Sequence, residues 1–192
     1  MKLLTLPNSL TLIRLILSPL TLPVLLVYLL PLNILWINIS LAGLFVAFGL
    51  TDYFDGYFAR RYNAISQMGK LLDPIADKFL VYSTLVGLLA ANKIFFFWVV
   101  LLIGREFFMM GLRLVALEHG ISIPVSYLAK FKTAVTMVCL TYIIYNPYHE
   151  MGVKALGANA IEYGLLAITM LLSLYTAYHY FVSFLKNYNS PK

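Results

Sequence analysis

Charge is scarce in this chain. Of its 192 residues only 11% are Asp, Glu, Lys or Arg, against about 25% in an average soluble domain. A soluble protein of this length carries most of its charge on its surface, so the shortage excludes an ordinary soluble globular domain. Cysteine is nearly absent. The single Cys139 excludes an internal disulfide framework and a cysteine-based zinc site. Low-complexity tracts, internal repeats and linker-like stretches are missing as well. What fills the chain instead is apolar: 61% of residues are hydrophobic and 15% aromatic, which excludes disorder and a collagen-like chain. The composition favours one all-α integral membrane domain over residues 1–192. The net charge of +6 then points to anionic lipid, phosphorylated substrates and positive-inside topology rather than to nucleic acid.

A transmembrane helix needs about 20 mostly apolar residues. Leu15 to Thr51 contains no charge, and Pro31-Leu32-Asn33 punctuates it as a turn. Two spans are predicted there, at 8–30 and 33–61. An apolar run after Lys2 raises the question of a signal peptide. No small-residue cleavage pattern follows it, so it is read as the first helix. Lys78 and Lys93 enclose 14 uncharged residues, and 11 more run from Ile94 to Gly104. Extended into their charged flanks, these predict spans at 70–91 and 94–117. Thr133–Tyr148 and Tyr163–Leu185 complete a bundle of six. Lys2, Arg60, Arg61, Lys70, Arg113, Lys130, Lys132, Lys186 and Lys192 then fall on one side, against Lys93 and Lys154 on the other. This asymmetry places both termini in the cytoplasm of a multi-pass protein of the cell (inner or plasma) membrane. Glu162 is expected near the outer side.

Four of the eight acidic residues fall within 26 positions: Asp52, Asp55, Asp73 and Asp77. A carboxylate at bilayer depth costs on the order of 3 kcal/mol, so four of them call for a reason. Asp52 and Asp55 are spaced i,i+3, and Asp73 and Asp77 i,i+4, so each pair shares a helix face. The first face continues through Gly56, Ala59 and Arg60, while Tyr53, Phe54, Tyr57 and Phe58 lie between. A short turn over 62–69 makes the two helices antiparallel neighbours. Converging carboxylates repel one another unless hard cations neutralise them. Mg²⁺ suits an oxygen-only ligand set that phosphates complete, and two such ions can clamp a pyrophosphate. The plainer alternative is pairing with Arg60, Arg61, Lys70 and Lys78 at a membrane interface.

The run from Asp52 through Asp55, Gly56, Ala59 and Arg60 to Gly69, Asp73 and Asp77 resembles the full signature of the CDP-alcohol phosphotransferase family, with no position departing. The resemblance implies two divalent ions, Mg²⁺ with Mn²⁺ as an alternative. Asp52 and Asp73 would bridge both ions, Asp55 would hold one and Asp77 the other. Asp77 would also be catalytic, taking the acceptor's hydroxyl proton. Gly56, Ala59, Arg60, Ser66 and Gly69, with Asn8 and Thr11, would bind the CDP moiety. The resemblance also implies an active site at the cytoplasmic side of the bundle, and homodimers are common in the family.

Three further segments are similar to the phosphatidylglycerophosphate-forming branch of that family: Asn8 to Arg14 with Ser18-Pro19, Gly104 to Arg113, and Ala129 to Thr133. Ala129 stands where the branch usually has Gly. Asn8, Thr11 and Ser18 recur at helical spacing; the plainer reading is an N-cap and tolerated hydroxyls. Arg105 lies inside an apolar span, where a cation is costly unless paired, and Arg113 follows about two turns later. Lys130 and Lys132 are read as lying just before the fifth helix. These four cations suit an acceptor carrying a phosphate, such as glycerol 3-phosphate, with CDP-diacylglycerol as donor. The alternatives for Lys130 and Lys132 are the positive-inside rule alone, and for Arg105 a pairing with Glu106 or an aspartate. Two rival functions stay open: another acceptor (inositol phosphate or phosphatidylglycerol), and a divalent-cation transporter. Gly56, Ala59 and Arg60 argue against the transporter, which has no use for them. Gly43, Gly49, Gly104 and Gly111 are candidates for close helix contact.

Overall fold

The computed structural model describes residues 20–61, 67–120, 127–148 and 156–188; of these, the side chains of 51–77, 129, 130 and 156–158 lie outside the description. The described residues are helical throughout apart from short turns. Helix α1 is described over residues 20–29. The others are α2 (Leu35–Arg61), α3 (Gln67–Ala90), α4 (Phe96–Glu118), α5 (Tyr127–Tyr145) and α6 (Leu156–Tyr188).

The turns follow local chemistry. Leu30–Leu32 forms a single 3₁₀ turn around Pro31, and Asn33 closes it in the left-handed region at φ 51°. Asn tolerates that conformation better than most residues. Asn92, at φ 56°, ends α3 in the same way, and the Lys93 amide reaches back to the Leu88 carbonyl at 2.9 Å. Helix α5 stops at Tyr145 because Pro147 disfavours helical backbone at Asn146 and has no amide of its own to donate.

Helix α5 packs against both α2 and α6, and α6 also packs against α4. Contacts of α3 with α2, α4 and α5 close the bundle. One core cluster joins all six helices through residues such as Leu26, Phe45, Leu88, Leu102, Ile143 and Leu166. A second, smaller one joins Met109, Leu112 and Ala116 of α4 to Ala177 and Phe184 of α6. Cys139 is buried in the main core. The outer faces are apolar too: Leu20, Trp36, Val86, Val100, Val138 and Leu171, one from each helix, are all more than half exposed.

Several expectations change. By length and composition, one described helix, Asn159–Tyr188, is long and apolar enough to cross a membrane; Leu20–Leu32, Leu35–Leu50, Lys78–Ala90 and Phe131–Tyr145 are shorter apolar stretches. Leu35–Leu50, Lys78–Ala90 and Phe131–Tyr145 are bounded on one side by the side chains outside the description, at 51–77 and at 129 and 130. Helix α5 begins before Lys130 and Lys132, which are therefore helical rather than in the preceding connection. Helix α6 begins seven residues earlier than the apolar run, because Glu162 is buried against Asn146, whose amide donates to it at 3.0 Å. Among the four glycines expected at helix contacts, Gly43, Gly104 and Gly111 face open space, and Gly49 meets only the flexible end of Met137. The close approach is at Gly87 of α3, where a methyl group would stand 2.9 Å from the Pro23 Cα of α1.

Candidate functional site

The aspartate signature divides between two neighbouring helices. Asp52, Asp55, Gly56, Ala59 and Arg60 belong to α2, and Gly69, Asp73 and Asp77 to α3. These helices are joined over residues 62–66 and contact one another, as antiparallel pairing of the two motif halves requires. The side chains of this set lie outside the described residues, as do Asn8, Thr11 and Ser66 altogether. Their predicted convergence is therefore carried by spacing and helix placement. Among the described residues no group of His, Cys, Asp or Glu forms a metal site.

The described part of the site is built around Glu106. Its carboxylate lies on α4 and accepts hydrogen bonds from Arg105 beside it and from Lys132 of α5. A third cation, Lys78 of α3, stands 3.6 Å from the other carboxylate oxygen. Three helices thus send cations to one anion in the interior, where an unpaired charge is costly. Arg105 is fixed further by α6. Its Nε donates to the Ser173 carbonyl at 2.8 Å, and its Nη2 donates to the Thr176 hydroxyl at 2.5 Å. The guanidinium fork is suited to this because its donors point in fixed directions.

Beside this cluster lies a cavity of about 90 Å³. Lys78, Glu106 and Lys132 line its charged side, Ser173 and Thr136 its polar side, and Val81, Leu85 and Leu102 its apolar side. The Ser173 hydroxyl is buried and makes no hydrogen bond. An orphaned hydroxyl lining the same cavity as two lysines can serve an anionic or hydroxylated ligand. Ligand pockets for whole drug-sized molecules run to roughly 300–1,000 Å³, so this one suits a small polar group and not a nucleotide.

Of the four cations expected at the acceptor phosphate, Arg105 and Lys132 come together here. Lys130 lies in α5 with its side chain outside the described residues. Arg113 makes a different contact, its guanidinium lying 5.8 Å from the centre of the Tyr180 ring on α6. Lys78, Ser173 and Thr176 were not singled out for this site from the sequence. Lys78 was legible as the cation following Asp77. Ser173 and Thr176 sit in an apolar helix without a motif, and nothing local marked them.

Comparison with known proteins bears on the whole chain. Residues 4–178 match the family model for CDP-alcohol phosphatidyltransferase. A protein of Rickettsia typhi (strain Wilmington), named CDP-diacylglycerol–glycerol-3-phosphate 3-phosphatidyltransferase, is 38% identical over 181 residues, covering 92% of this chain and 94% of its own. A Rickettsia felis protein of the same name is 35% identical over 92% of this chain and 93% of its own. The Escherichia coli K12 protein of that name is 37% identical over 73% of this chain and 77% of its own. A match of this extent, carrying every fixed position of the aspartate signature, leaves one assignment: the chain belongs to the CDP-alcohol phosphatidyltransferase family.

Proposed function

We propose that this chain transfers the phosphatidyl group of CDP-diacylglycerol to the 1-hydroxyl of sn-glycerol 3-phosphate, forming phosphatidylglycerophosphate and CMP. The observation that carries the reading is the complete aspartate signature on two contacting helices, within a chain 35–38% identical over 92% of its length to proteins named for that transfer.

Six membrane spans, with both termini cytoplasmic, are the architecture this reading needs. Exposed apolar side chains on every helix support it, since a soluble bundle rarely exposes so many. So does helix length. Asp52 lies 17 residues into α2, about 26 Å along its axis, near the far edge of a hydrocarbon layer of about 30 Å. A site at that depth, on the cytoplasmic side, reaches both a lipid-borne donor and a water-soluble acceptor. CDP-diacylglycerol enters sideways with its acyl chains still in the lipid. The protein is a multi-pass enzyme of the cell membrane, and a homodimer by analogy with its family.

Gly56, Ala59, Arg60, Ser66 and Gly69, with Asn8 and Thr11, bind the CDP moiety, the small residues allowing close approach to the backbone. Four carboxylates at these spacings on adjacent helices form an oxygen-only donor set, which fits two Mg²⁺ ions held by Asp52, Asp55, Asp73 and Asp77. When bound, such ions neutralise the pyrophosphate and the charge that builds up during displacement at phosphorus. Asp77 accepts the proton of the 1-hydroxyl, which attacks the β-phosphorus as the bond to CMP breaks. Arg105, Arg113, Lys130 and Lys132 hold the acceptor's phosphate, a role plain inositol, serine or choline would not require.

The test is CMP release from CDP-diacylglycerol by the purified protein, with and without Mg²⁺, across a panel of glycerol 3-phosphate, inositol phosphate and phosphatidylglycerol. Release that depends on both Mg²⁺ and glycerol 3-phosphate is expected. Equal release with another acceptor would reassign the substrate; cation flux into vesicles without CMP would remove the enzyme reading.

A further inference from the structure

Among the described residues, three cations and one carboxylate leave the cluster at Glu106 with a net charge of +2. A phosphate monoester carries about −1.5 to −2 at neutral pH. The surplus therefore matches one such group. The donors match as well. Each ammonium has three protons to give, and Glu106 takes one from Lys132. Lys78 and Lys132 line the cavity beside the carboxylate, and the unpartnered Ser173 hydroxyl lines it too. Arg105 is held from behind by Ser173 and Thr176, so its orientation is fixed by α6.

From this arrangement we propose that Glu106 is a positioning residue for acceptor binding, and that Lys78 is a further cation of the acceptor-phosphate site. Glu106 gathers Lys78 and Lys132 onto one cavity wall before the substrate arrives, with Arg105 paired to it from behind that wall. Without that anion the three cations would repel one another, and the two lysine stems would scatter among rotamers. A preformed face spares the substrate the cost of ordering them. Lys78 also follows Asp77 directly in α3. Through the Lys78–Glu106 pair, the wall that takes the phosphate is tied to the helix turn that bears the proposed base. The proposal rests on the reading of glycerol 3-phosphate as the acceptor.

The experiment is steady-state CMP release by the full-length protein in detergent, varying each substrate in turn, for wild type, Glu106→Gln, Glu106→Asp and Lys78→Met. Wild type must first show release that depends on glycerol 3-phosphate; its absence overturns the acceptor reading itself. Given that, Glu106→Gln is expected to raise the KM for glycerol 3-phosphate about tenfold or more, with the KM for CDP-diacylglycerol within about twofold of wild type. Glu106→Asp, which restores the charge on a shorter stem, should recover part of the loss. Lys78→Met should raise the acceptor KM about threefold or more, again selectively. An unchanged acceptor KM in Glu106→Gln, or a parallel rise for both substrates, overturns the proposal. If Glu106→Gln does not fold, the Lys78→Met result decides, because among the described residues the ion pair of Lys78 is the 3.6 Å contact to Glu106; an unchanged or unselective KM there overturns it.

Discussion

The ammonium of Lys132 on α5 donates a hydrogen bond to the carboxylate of Glu106 on α4, joining residues 26 positions apart. Both side chains are largely buried, Lys132 at 13% and Glu106 at 17% exposure. Removing either partner would leave a charge in a medium that solvates it poorly. The pair is thus a brace between helices as well as a feature of the site, and the predictions below separate these roles.

Asp77→Asn should lower CMP release about 10²- to 10⁴-fold, the usual contribution of a general base. Chelation by EDTA should abolish turnover in wild type, and Mg²⁺ or Mn²⁺ should restore it. Near-normal turnover by Asp77→Asn would remove Asp77 from proton transfer.

Arg113 lies on an exposed stretch of α4 against Tyr180. If it reaches the acceptor's phosphate, Arg113→Ala should raise the KM for glycerol 3-phosphate more than that for CDP-diacylglycerol. Equal changes would leave Arg113 with packing on Tyr180 as its whole role.

Thr176→Val keeps the shape of the side chain but removes the oxygen that accepts from Arg105. A lost hydrogen bond to a charged group costs about 1.5–3 kcal/mol. Thermal unfolding of the purified protein should show a lowered midpoint, with a rise in the acceptor KM as Arg105 loses its alignment. An unaltered midpoint and KM would mean that the Ser173 carbonyl and Glu106 hold Arg105 without it.

Gly87→Ala places a methyl group 2.9 Å from the Pro23 backbone, so α1 has to shift. Overpacking of this kind costs about 1–3 kcal/mol. Gly43→Ala meets nothing within 4 Å, so helix propensity alone should make it neutral or stabilising by up to about 1 kcal/mol. Comparable stability of the two variants would contradict the tight contact between α1 and α3.

Asn146→Ala removes the amide that donates to the buried Glu162. The expected cost is about 1–3 kcal/mol of stability. Because this pair ties the end of α5 to the start of α6, away from the Glu106 cluster, the folded fraction should retain wild-type KM values for both substrates. A selective change in either KM would link this end of the bundle to substrate binding.

Much of this was legible in the sequence because it rests on short-range spacing. The i,i+3 and i,i+4 aspartates, the turn at Pro31 to Asn33 and the extents of α2 and α4 follow from local pattern. The start of α6 was not, because hydropathy treats Glu162 as a charge to be kept outside, whereas a partner 16 residues away lets it be buried. Gly87 was missed for a similar reason: its value lies in what stands opposite, and α1 is opposite it only in three dimensions. Ser173 and Thr176 are ordinary small hydroxyls in a helix until Arg105 is seen beside them. Arg105 itself carried the signal, since a cation inside an apolar run demands partners, although not their address.

That address has a temporal side. Arg105 finds its α6 partners 68 and 71 residues further along the chain. At ~5–20 residues per second, ribosomal synthesis leaves α4 waiting roughly 4 to 14 seconds for them. Through that interval the adjacent Glu106 is the counter-ion already present on the same helix. A nascent chain truncated before α6 should therefore be retained by the insertion machinery, and an early substitution at Glu106 should be felt during biogenesis before it is felt in catalysis.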